Sequence, residues 1–434
     1  MKKTLVAVAA MAATGAFAQV TISGYFGASF DSFSLSNLNS GRLAGYNTNE
    51  DRVSDQSSRI IFNVTEGLGN GLEAIGQFDL RFKVDATTRV NNDSNSAATG
   101  GAYTSVATAT APTGLNVNYS PSVDQVSGGN NHVGIRSKDW GTIRLGRQDI
   151  YYTETASLLP GGLFLAANQA PIMHLPVAAS SNGTMANWSR TPNLAWWESN
   201  RMNGFQATLG YSTGATRKSG TNEVENDVGT NGRKGSGTYI KLNYNAGPID
   251  ATYATISLKS DYVGASAQSG IVSSVTGVAS AAFDQMNNAV PDQVGSVVTL
   301  KYQVTPALRL GVGYSDNKAT VVSSGATTQA KAQSYSAQYA LGGNHFITAN
   351  HARRGAASTA GVEAAGSEAQ MTTLAYHYDF SKRTSAGVMW TQLKNGTGSA
   401  TGLFYQGNNA FGGQGSVLNG EASNITSVAL RHNF

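Results

Sequence analysis

Arginine and lysine side chains recur at every second position of several short segments. Arg81 and Lys83 share one side of LRFKV, and Arg136 and Arg144 hold polar positions in GIRSK and TIRLG. Side chains two residues apart on a β-strand point to the same face. If these segments are strands around a water-filled space, the cations would face it and favour anions. The alternative for each is a solvated cation, or one paired across neighbouring strands.

Cysteine and histidine, which often serve catalysis and metal binding, give no site. The chain has no cysteine, which excludes zinc–thiolate, iron–sulfur and cysteine-nucleophile chemistry. None of the six histidines has the metal-ligand spacing of HExxH. Only His377 and Asp379 share a strand face, and such a pair is more often part of a polar wall than a catalyst. The sequence therefore predicts neither catalytic residues nor a cofactor.

The first eighteen residues predict a cleaved secretory signal. Lys2 and Lys3 precede the apolar run LVAVAAMAA, and Ala16, Phe17 and Ala18 form a small-x-small cleavage site. An N-terminal anchor or a buried helix is the alternative, but the apolar run is too short to span a bilayer. The prediction is a signal peptide at 1–18 and one mature domain at 19–434.

Composition narrows the class of protein. Lysine and arginine (30) exceed aspartate and glutamate (26) only slightly and form no basic block, so the sequence does not predict a nucleic-acid partner. Beyond the signal there is no apolar run of about eighteen residues, so no membrane helix is predicted. Charged residues make up only 13% of the chain. Such a chain can still enter a membrane if its apolar residues occupy alternate positions.

Apolar and polar residues do alternate along most of the chain. In GLEAIGQFDL, Leu72, Phe78 and Leu80 take one parity, while Glu73 and Asp79 take the other. This period of two is typical of β-strands with one apolar face. Most of the segments are long enough for a tilted strand to cross a bilayer. The sixteen segments are 20–30, 58–66, 71–84, 130–137, 141–148, 190–199, 204–213, 237–246, 249–259, 295–304, 307–316, 331–341, 344–353, 369–380, 383–393 and 424–434.

The connections between these segments alternate between tight turns and long polar loops. A soluble β-sandwich or adhesin also has strands with one apolar face. Long strands, alternating connection lengths and aromatic residues at strand ends instead favour an outer-membrane barrel. The sequence therefore predicts an all-β fold, a 16-stranded antiparallel transmembrane β-barrel whose polar parity faces an aqueous lumen.

Three segments carry a family resemblance over nearly the full length. They are SRIIFNVTEGLGNGLEAIGQF (58–78), HVGIRSKDWGTIRLGRQ (132–148) and the terminal LRHNF (430–434). In amino-acid sequence and in order along the chain they resemble the trimeric general-diffusion porins of Gram-negative bacteria, most closely the beta-proteobacterial branch. The resemblance implies a homotrimer in the outer membrane, in contact with lipid and lipopolysaccharide. It also implies passage of ions and small hydrophilic solutes, and a third loop (149–189) folded into the lumen as a constriction.

The resemblance assigns arginines of the barrel wall to the constriction. Arg59 and Arg147 match the first two of these arginines. Arg190 matches a third less closely, because the residues that flank it differ from the family pattern. Simple alternation groups Arg147 with Leu145 on the outward face. A bulge at the strand end would be needed to turn Arg147 inward.

The third loop departs from the family in its carboxylates. Where relatives often have Pro-Glu-Phe-Gly, this chain has PGGL at 160–163, and between Asp149 and Trp188 the acids are Asp149 and Glu154 alone. Wall cations facing few acids predict an anion-preferring channel. Asp79 and Glu73, which are inward by parity, count against this preference. A substrate-specific channel is the second prediction; a barrel enzyme or an adhesin comes after it.

Overall fold

Nineteen strands form one sheet in the computed structural model. The structure describes residues 18–42, 48–82, 84, 129–150, 157–159, 163–174, 190–213, 235–259, 292–320, 325–403 and 417–434. The strands are β1 (Gln19–Ser36), β2 (Asn49–Asp55), β3 (Arg59–Gly69), β4 (Leu72–Arg81), β5 (Asn131–Ser137), β6 (Gly141–Asp149), β7 (Arg190–Glu198), β8 (Phe205–Ser212), β9 (Ser236–Ala246), β10 (Ile249–Lys259), β11 (Asp292–Gln303), β12 (Leu308–Thr320), β13 (Thr327–Gly342), β14 (His345–Arg354), β15 (Ser358–Thr359), β16 (Val362–Glu363), β17 (Ala369–Asp379), β18 (Thr384–Asn395) and β19 (Ala422–Asn433).

The sheet closes on itself. β1 pairs antiparallel with β19 from Tyr25–Asn433 to Ser36–Ala422, and β1 pairs on its other edge with β2 and β3. β2 and β3 are two parts of one barrel strand interrupted at 56–58, while β15 and β16 form a small hairpin in a loop. The result is a closed 16-strand antiparallel barrel, as predicted, and each predicted segment corresponds to one of its strands. Closure leaves no unpaired sheet edge.

Several strands extend further than the alternation predicted, mostly away from the tight turns. β1 continues to Ser36 and β12 to Thr320, and neither β2 nor the β15–β16 hairpin was predicted. Strand β2 reads NEDRVSD, with Val53 as its single large apolar residue. A strand that rises beyond the hydrocarbon layer has no lipid-facing side, so its sequence loses the period of two.

Tight turns connect the strands at one end of the barrel, here called the short-turn end. The β3–β4 turn has Asn70 and Gly71 at φ of 52° and 76°, and the β7–β8 connection has Asn203 and Gly204 at 49° and 88°. Asparagine and glycine tolerate positive φ, which two-residue hairpin turns require. The opposite end, here called the long-loop end, carries the longer connections. In an outer-membrane barrel these ends face the periplasm and the outside, respectively.

The wall exposes apolar side chains and buries polar ones. Val133, Leu145 and Val428 are more than half exposed, whereas Ser334 and Ser427 are buried. A soluble protein would have the reverse arrangement. Outward apolar and inward polar side chains are stable when lipid surrounds the barrel and its lumen is polar. No helix among the described residues is long and apolar enough to cross a membrane.

At the long-loop end, a buried ion pair joins the loop after β1 to the loop before β19. Arg42 donates through Nε to Oε1 of Glu421 at 2.7 Å and through Nη2 to Oε2 at 2.5 Å. The backbone N–H groups of Asn39 and Leu418 donate to the same carboxylate. The two side chains are only 5% and 0% exposed. We call this arrangement the Arg42–Glu421 clasp.

The clasp changes the pKa of both partners. The hydrogen bond to Glu421 raises the pKa of Arg42. Burial acts to raise the pKa of Glu421, but the hydrogen bonds from Arg42, Leu418 and Asn39 outweigh burial and lower it. The clasp therefore stabilises the fold fully above the unfolded-state value of 4.5, and this stabilisation is lost as pH falls through the lower folded-state pKa.

Replacing Glu421 by glutamine should destabilise the barrel at neutral pH, because Arg42 is left buried without its counter-charge. Breaking a buried pair in this way costs about 3–5 kcal/mol. We expect the variant to have a lower unfolding temperature than the wild type in detergent micelles at pH 7. The difference between the two unfolding temperatures should become smaller at strongly acidic pH. Asp139→Asn, on an exposed turn, is the control. A gap that does not change with pH would contradict the role assigned to the clasp.

Candidate functional site

Two arginines contact Tyr25 on the inner wall, and a third stands opposite one of them. The Arg431 guanidinium carbon lies 3.7 Å from the Tyr25 ring centroid, and that of Arg59 lies 4.8 Å from it. Both distances are within the range of cation–π attraction. Arg81 stands directly opposite Arg59 in the β3–β4 register. The cluster thus spans four neighbouring strands, β19, β1, β3 and β4, and is here called the arginine cluster.

Asp79 holds the arginine cluster together. Its carboxylate is 1% exposed and lies 3.0 Å from Nη2 of Arg81 and 3.7 Å from Nη1 of Arg59. Arg81 also lies 3.8 Å from Asp149, at the end of β6. Like charges directly opposite on a sheet repel each other. Asp79 offsets this repulsion, so two adjacent arginines can share one inward face.

The interruption at 56–58 positions two of these arginines. The backbone N–H groups of Ser57 and Ser58 donate to the Asp55 carboxylate, and Ser57 adopts a φ of 67°. The Ser57 hydroxyl then accepts hydrogen bonds from Arg59 at 2.9 Å and from Arg81 at 3.2 Å. The sequence DQSSR contains this motif, but nothing in its alternation distinguishes it from a continuing strand.

Arg144 forms a second, electrically balanced group on the inner wall. Its Nη1 atom lies 3.6 Å from Oε1 of Glu198, and its guanidinium carbon is 5.9 Å from the Trp196 ring centroid. The His132 ring meets the same tryptophan edge-on at 5.4 Å. The parity prediction that Arg144 faces inward agrees with these contacts, and its charge has a nearby counter-ion.

Arg136 does not lie with the arginine cluster. It pairs in register with Glu73 close to the turns of the short-turn end, and its Nη1 atom lies 3.1 Å from Oε2 of Glu73. Arg59 and Arg81 instead lie at the other ends of β3 and β4. Arg136 thus lies apart from the arginine cluster, and its assignment to the constriction stays a prediction. Parity specifies the face of a strand but not the height along it.

The structure places Arg147 beside a local irregularity of the sheet. Opposite β7 the register shifts between Gly146 and Gln148, and Gly146 has a φ of 145°. This is the bulge that the inward assignment of Arg147 requires, although the pore-lining role itself stays a prediction. Lys83, Glu154 and the PGG sequence at 160–162 lie outside the described residues, as does the Arg190 side chain.

One member of the arginine cluster was not predicted. Arg431 belongs to LRHNF, where it takes the polar parity together with Ser427 and Ala429. Parity alone would have listed Arg431 as an inward cation. Its approach to Tyr25 depends on the closure of β19 against β1, which no local pattern shows.

The described segments of the third loop, 157–159 and 163–174, lie against the inner wall. The Leu165 backbone N–H donates to the Gln56 side chain at 2.7 Å, and Gln56 donates to the Ser29 hydroxyl at 2.7 Å. Phe164 covers Gly387, where an added Cβ would lie 2.9 Å from the phenylalanine ring. Irregular backbone at this depth is tolerated where protein buries it or where it lines an aqueous cavity.

Further along, the third loop forms a four-residue helix, Ala170–Met173. Side chains of the barrel wall donate hydrogen bonds to the backbone carbonyl groups of this helix. The Met173 carbonyl accepts from the Ser315 hydroxyl at 2.5 Å and from the Asn317 amide at 2.9 Å. The Pro171 carbonyl accepts from Arg354 at 2.9 Å. The loop is thus attached both to the 56–58 interruption and to β12 and β14.

Arg354 connects the third loop to the loop before β19. It is buried at the end of β14 and also donates to the hydroxyls of Thr401 at 2.7 Å and Ser399 at 3.4 Å. Within the described ranges it has no carboxylate partner. A buried cation is costly unless its hydrogen bonds are made, so Arg354 binds firmly to the oxygen atoms it contacts.

The histidines do not assemble a reactive centre in the part of the chain that the structure describes. No group of three or more histidine, aspartate or glutamate side chains there is arranged to hold a metal ion. His377 stacks on Phe346, and Ser385 donates its hydroxyl to Asp379 at 2.7 Å. These contacts are those of a polar wall.

A closed barrel with exposed apolar residues outside, arginines inside and a loop attached within it defines a transmembrane diffusion channel. The chain matches the family model of Gram-negative porins over residues 4–398, and it belongs to that family. It is therefore a porin, a diffusion channel of the bacterial outer membrane.

Solved structures share the fold at low sequence identity. The anion-selective porin from Comamonas acidovorans is 19% identical, with a TM-score of 0.61 over 96% of this chain and all of the other. Outer-membrane OmpT of Vibrio cholerae is 11% identical, with a TM-score of 0.56 over 96% and 98%. Salmonella typhi OmpF in complex with daunomycin is 13% identical, with a TM-score of 0.50 over 97% and 98%. No curated protein sequence matches the chain.

Replacing Arg354 by methionine should loosen the third loop without unfolding the barrel. Methionine fills similar space and leaves no buried charge, but it cannot hold the Pro171 carbonyl. In planar bilayers we expect single-channel currents with severalfold larger fluctuations. Arg353→Met is the matched control, because Arg353 is the next residue on β14 and faces outward. Identical current records for the Arg354 variant and the wild type would contradict the anchoring role.

Proposed function

We propose that this porin is a general-diffusion channel that prefers anions. The observation that carries the proposal is the composition of the arginine cluster. Three guanidinium groups, of Arg59, Arg81 and Arg431, share a wall patch with two carboxylates, of Asp79 and Asp149. A net positive patch beside a narrowing lumen raises the local anion concentration.

The other described pairs of the inner wall are neutral. Arg144 lies near Glu198, Arg136 near Glu73, and Arg309 lies 3.9 Å from Asp250. Such pairs add polarity without net charge, so they do not favour either sign of ion. The printed name of the porin from Comamonas acidovorans states anion selectivity for that protein, and the shared fold supports the same expectation here.

A substrate-specific channel is a weaker candidate. Such a channel needs aromatic rings presented along the lumen, where a solute can slide over them. The inward aromatic residues that the structure describes on the strands are Tyr25, Phe33, Trp196, Tyr239 and Phe346. The first four are buried by neighbouring groups, and Phe346 is stacked on His377. They stabilise the wall and do not offer a continuous surface.

The ion preference is tested by reversal potentials in a KCl gradient across planar bilayers. The wild type should give the sign expected for anions. Arg59→Gln with Arg431→Gln should reduce the chloride-to-potassium permeability ratio about twofold or more, because each removes a cation from the lumen. Lys382→Gln with Arg383→Gln, on an exposed turn at the short-turn end, is the control with the same charge change. Cation preference in the wild type would reject the proposal.

We also propose a homotrimer, with one arc of the barrel forming the subunit interface. On β19, β1, β3, β4, β5 and β6 the described outward side chains include no tyrosine or tryptophan; they include Phe26, Phe78, Val133, Ile143 and Leu145. Outward tyrosine and tryptophan begin on β7 and β8 and continue to Trp390 on β18. These residues mark the membrane–water interfaces. Among the exposed described residues of this arc only Trp140, in the β5–β6 turn, is of this kind, so the strand faces of the arc are suited to protein contact.

Lipid quenching tests this assignment. The chain has no cysteine, so a single introduced cysteine can carry a fluorophore without background. A label at Val133→Cys should be protected from nitroxide-labelled lipids, whereas the same label at Leu300→Cys on β11 should be quenched. Native mass spectrometry should show three copies. Equal quenching at both sites would contradict the interface, and a monomer mass would contradict the trimer.

A further inference from the structure

A row of inward side chains crosses five neighbouring strands beneath the third loop. Cross-strand pairing connects Phe346 on β14, His377 on β17, Gly387 on β18, Ala429 on β19 and Ser29 on β1. We call this row the loop seat. The Phe346 and His377 rings stack with 4.7 Å between their centroids, whereas the next three residues have small side chains or none. The inner surface of the wall therefore recedes from the lumen beside the stacked rings.

Phe164 of the third loop occupies the space in front of Gly387. A Cβ atom added at Gly387 would lie 2.9 Å from Cζ of Phe164 and 3.1 Å from Cβ of His377. Carbon atoms that are not bonded pack at about 3.5–4.0 Å, so only glycine fits at this position while Phe164 stays in place. Phe164 is 5% exposed, so its ring is buried against the wall.

Neighbouring residues hold the third loop at the same level of the wall. Leu163 is buried. The Leu165 backbone N–H donates to Gln56 at 2.7 Å, and the Gln56 amide donates to the Ser29 hydroxyl of the loop seat at 2.7 Å. Phe164 therefore lies between a buried side chain and a hydrogen-bonded backbone group, and close packing leaves its ring little room to tilt. The distance of this ring from the wall sets how far this part of the loop extends into the lumen.

A methyl group at residue 387 would push Phe164 towards the lumen. Restoring an ordinary carbon–carbon contact requires the ring to retreat by roughly 0.6–1.1 Å. His377 and Ala429 flank Gly387 in the sheet, so the ring can retreat only away from the wall. The diameter of a pore decides which solutes pass, so this displacement matters most for solutes close to the size limit.

We propose that Gly387 sets the upper size limit for solutes of this channel by letting Phe164 pack directly against the wall. The proposal rests on the general-diffusion function proposed above and on the third loop as the element that narrows the lumen. Gly387 is a positioning residue, because it contacts the third loop and acts on the solute through it. The arginine cluster then selects the sign of an ion, and the contact between Phe164 and Gly387 limits the size of a solute.

The β-sheet itself also favours glycine at this position. The same added Cβ atom would lie 2.7 Å from the backbone carbonyl oxygen of Tyr376 on β17. A larger residue at 387 therefore disturbs both the pairing of β17 with β18 and the third loop. Changing the other side of the contact, at Phe164, leaves the sheet intact and separates the two effects.

The experiment measures the flux of neutral sugars of increasing size, from arabinose to raffinose, into liposomes that contain the folded porin. Three variants are compared with the wild type: Gly387→Ala, Phe164→Trp, and Gly387→Ala combined with Phe164→Leu. Neutral sugars are used because their flux does not depend on the charge of the arginine cluster. Circular dichroism checks that each variant is folded.

Gly210→Ala is the matched control. Gly210 is also an inward glycine, on β8. A Cβ atom added there would have its nearest neighbours at 3.4–3.6 Å, in Leu194, Tyr239 and Trp196 of the wall. This is an ordinary van der Waals contact, so the control adds a methyl group to the inner wall without displacing the third loop.

We expect Gly387→Ala and Phe164→Trp each to slow raffinose severalfold relative to arabinose, since each moves the third loop away from the wall. The double variant should recover the wild-type ratio of the two fluxes, because leucine is shorter than phenylalanine and leaves room for the added methyl group. Gly210→Ala should keep the wild-type ratio.

An unchanged raffinose-to-arabinose ratio in Phe164→Trp would overturn the proposal, and this measurement does not require Gly387→Ala to fold. A defect that persists in the double variant would assign Gly387 to the sheet alone and overturn it as well, as would an equal defect in Gly210→Ala. The reversal potential of the same proteins tests the anion preference separately. Saturation of wild-type flux with rising sugar concentration would reject general diffusion, whatever the order of the variants.

Discussion

The interruption of one barrel strand at 56–58 is the interaction on which the pore depends. Asp55 stabilises the break by accepting the backbone N–H groups of Ser57 and Ser58. From there Ser57 orients two arginines of the wall, and Gln56 holds the third loop through Leu165. A continuous strand would pair these polar groups with its neighbours and remove these contacts to the arginines and to the third loop. Two arginines of the charged wall and one end of the third loop are thus positioned by the same three residues.

The buried charges of the barrel also fix the positions of strands and loops. Asp79 lies between two arginines that stand opposite each other, and Arg354 is satisfied by carbonyl and hydroxyl oxygens of two different loops. Each of these groups is costly to bury and therefore restricts the backbone to conformations that satisfy it. In a lumen too wide for a continuous hydrophobic core, such hydrogen bonds take over part of the task of fixing loop positions.

The sequence predicts the barrel well because the membrane imposes a period of two on every spanning strand. All sixteen strands follow from that period, including the inward faces of Arg81 and Arg144. The period ends where lipid ends, which is why β2 was missed. It also says nothing of height or of strand order around the barrel, so it could not show that Arg136 lies apart from the arginine cluster or that Arg431 approaches Tyr25. The break at 56–58 leaves no trace in hydrophobicity, since its polar residues are equally compatible with an inward strand face.

The Arg42–Glu421 clasp has a consequence for the order in which the barrel forms. Its partners are 379 residues apart and lie on the loops that flank the first and last strands. A contact of such sequence separation forms only after the intervening chain is arranged, because loop closure must be paid for in entropy first. The carboxylate of Glu421 and the guanidinium of Arg42 would otherwise be withdrawn from water unpaired. Burial of the clasp is therefore coupled to completed closure of β1 against β19, and an open sheet lacking that closure would keep both loops solvated and accessible to proteases.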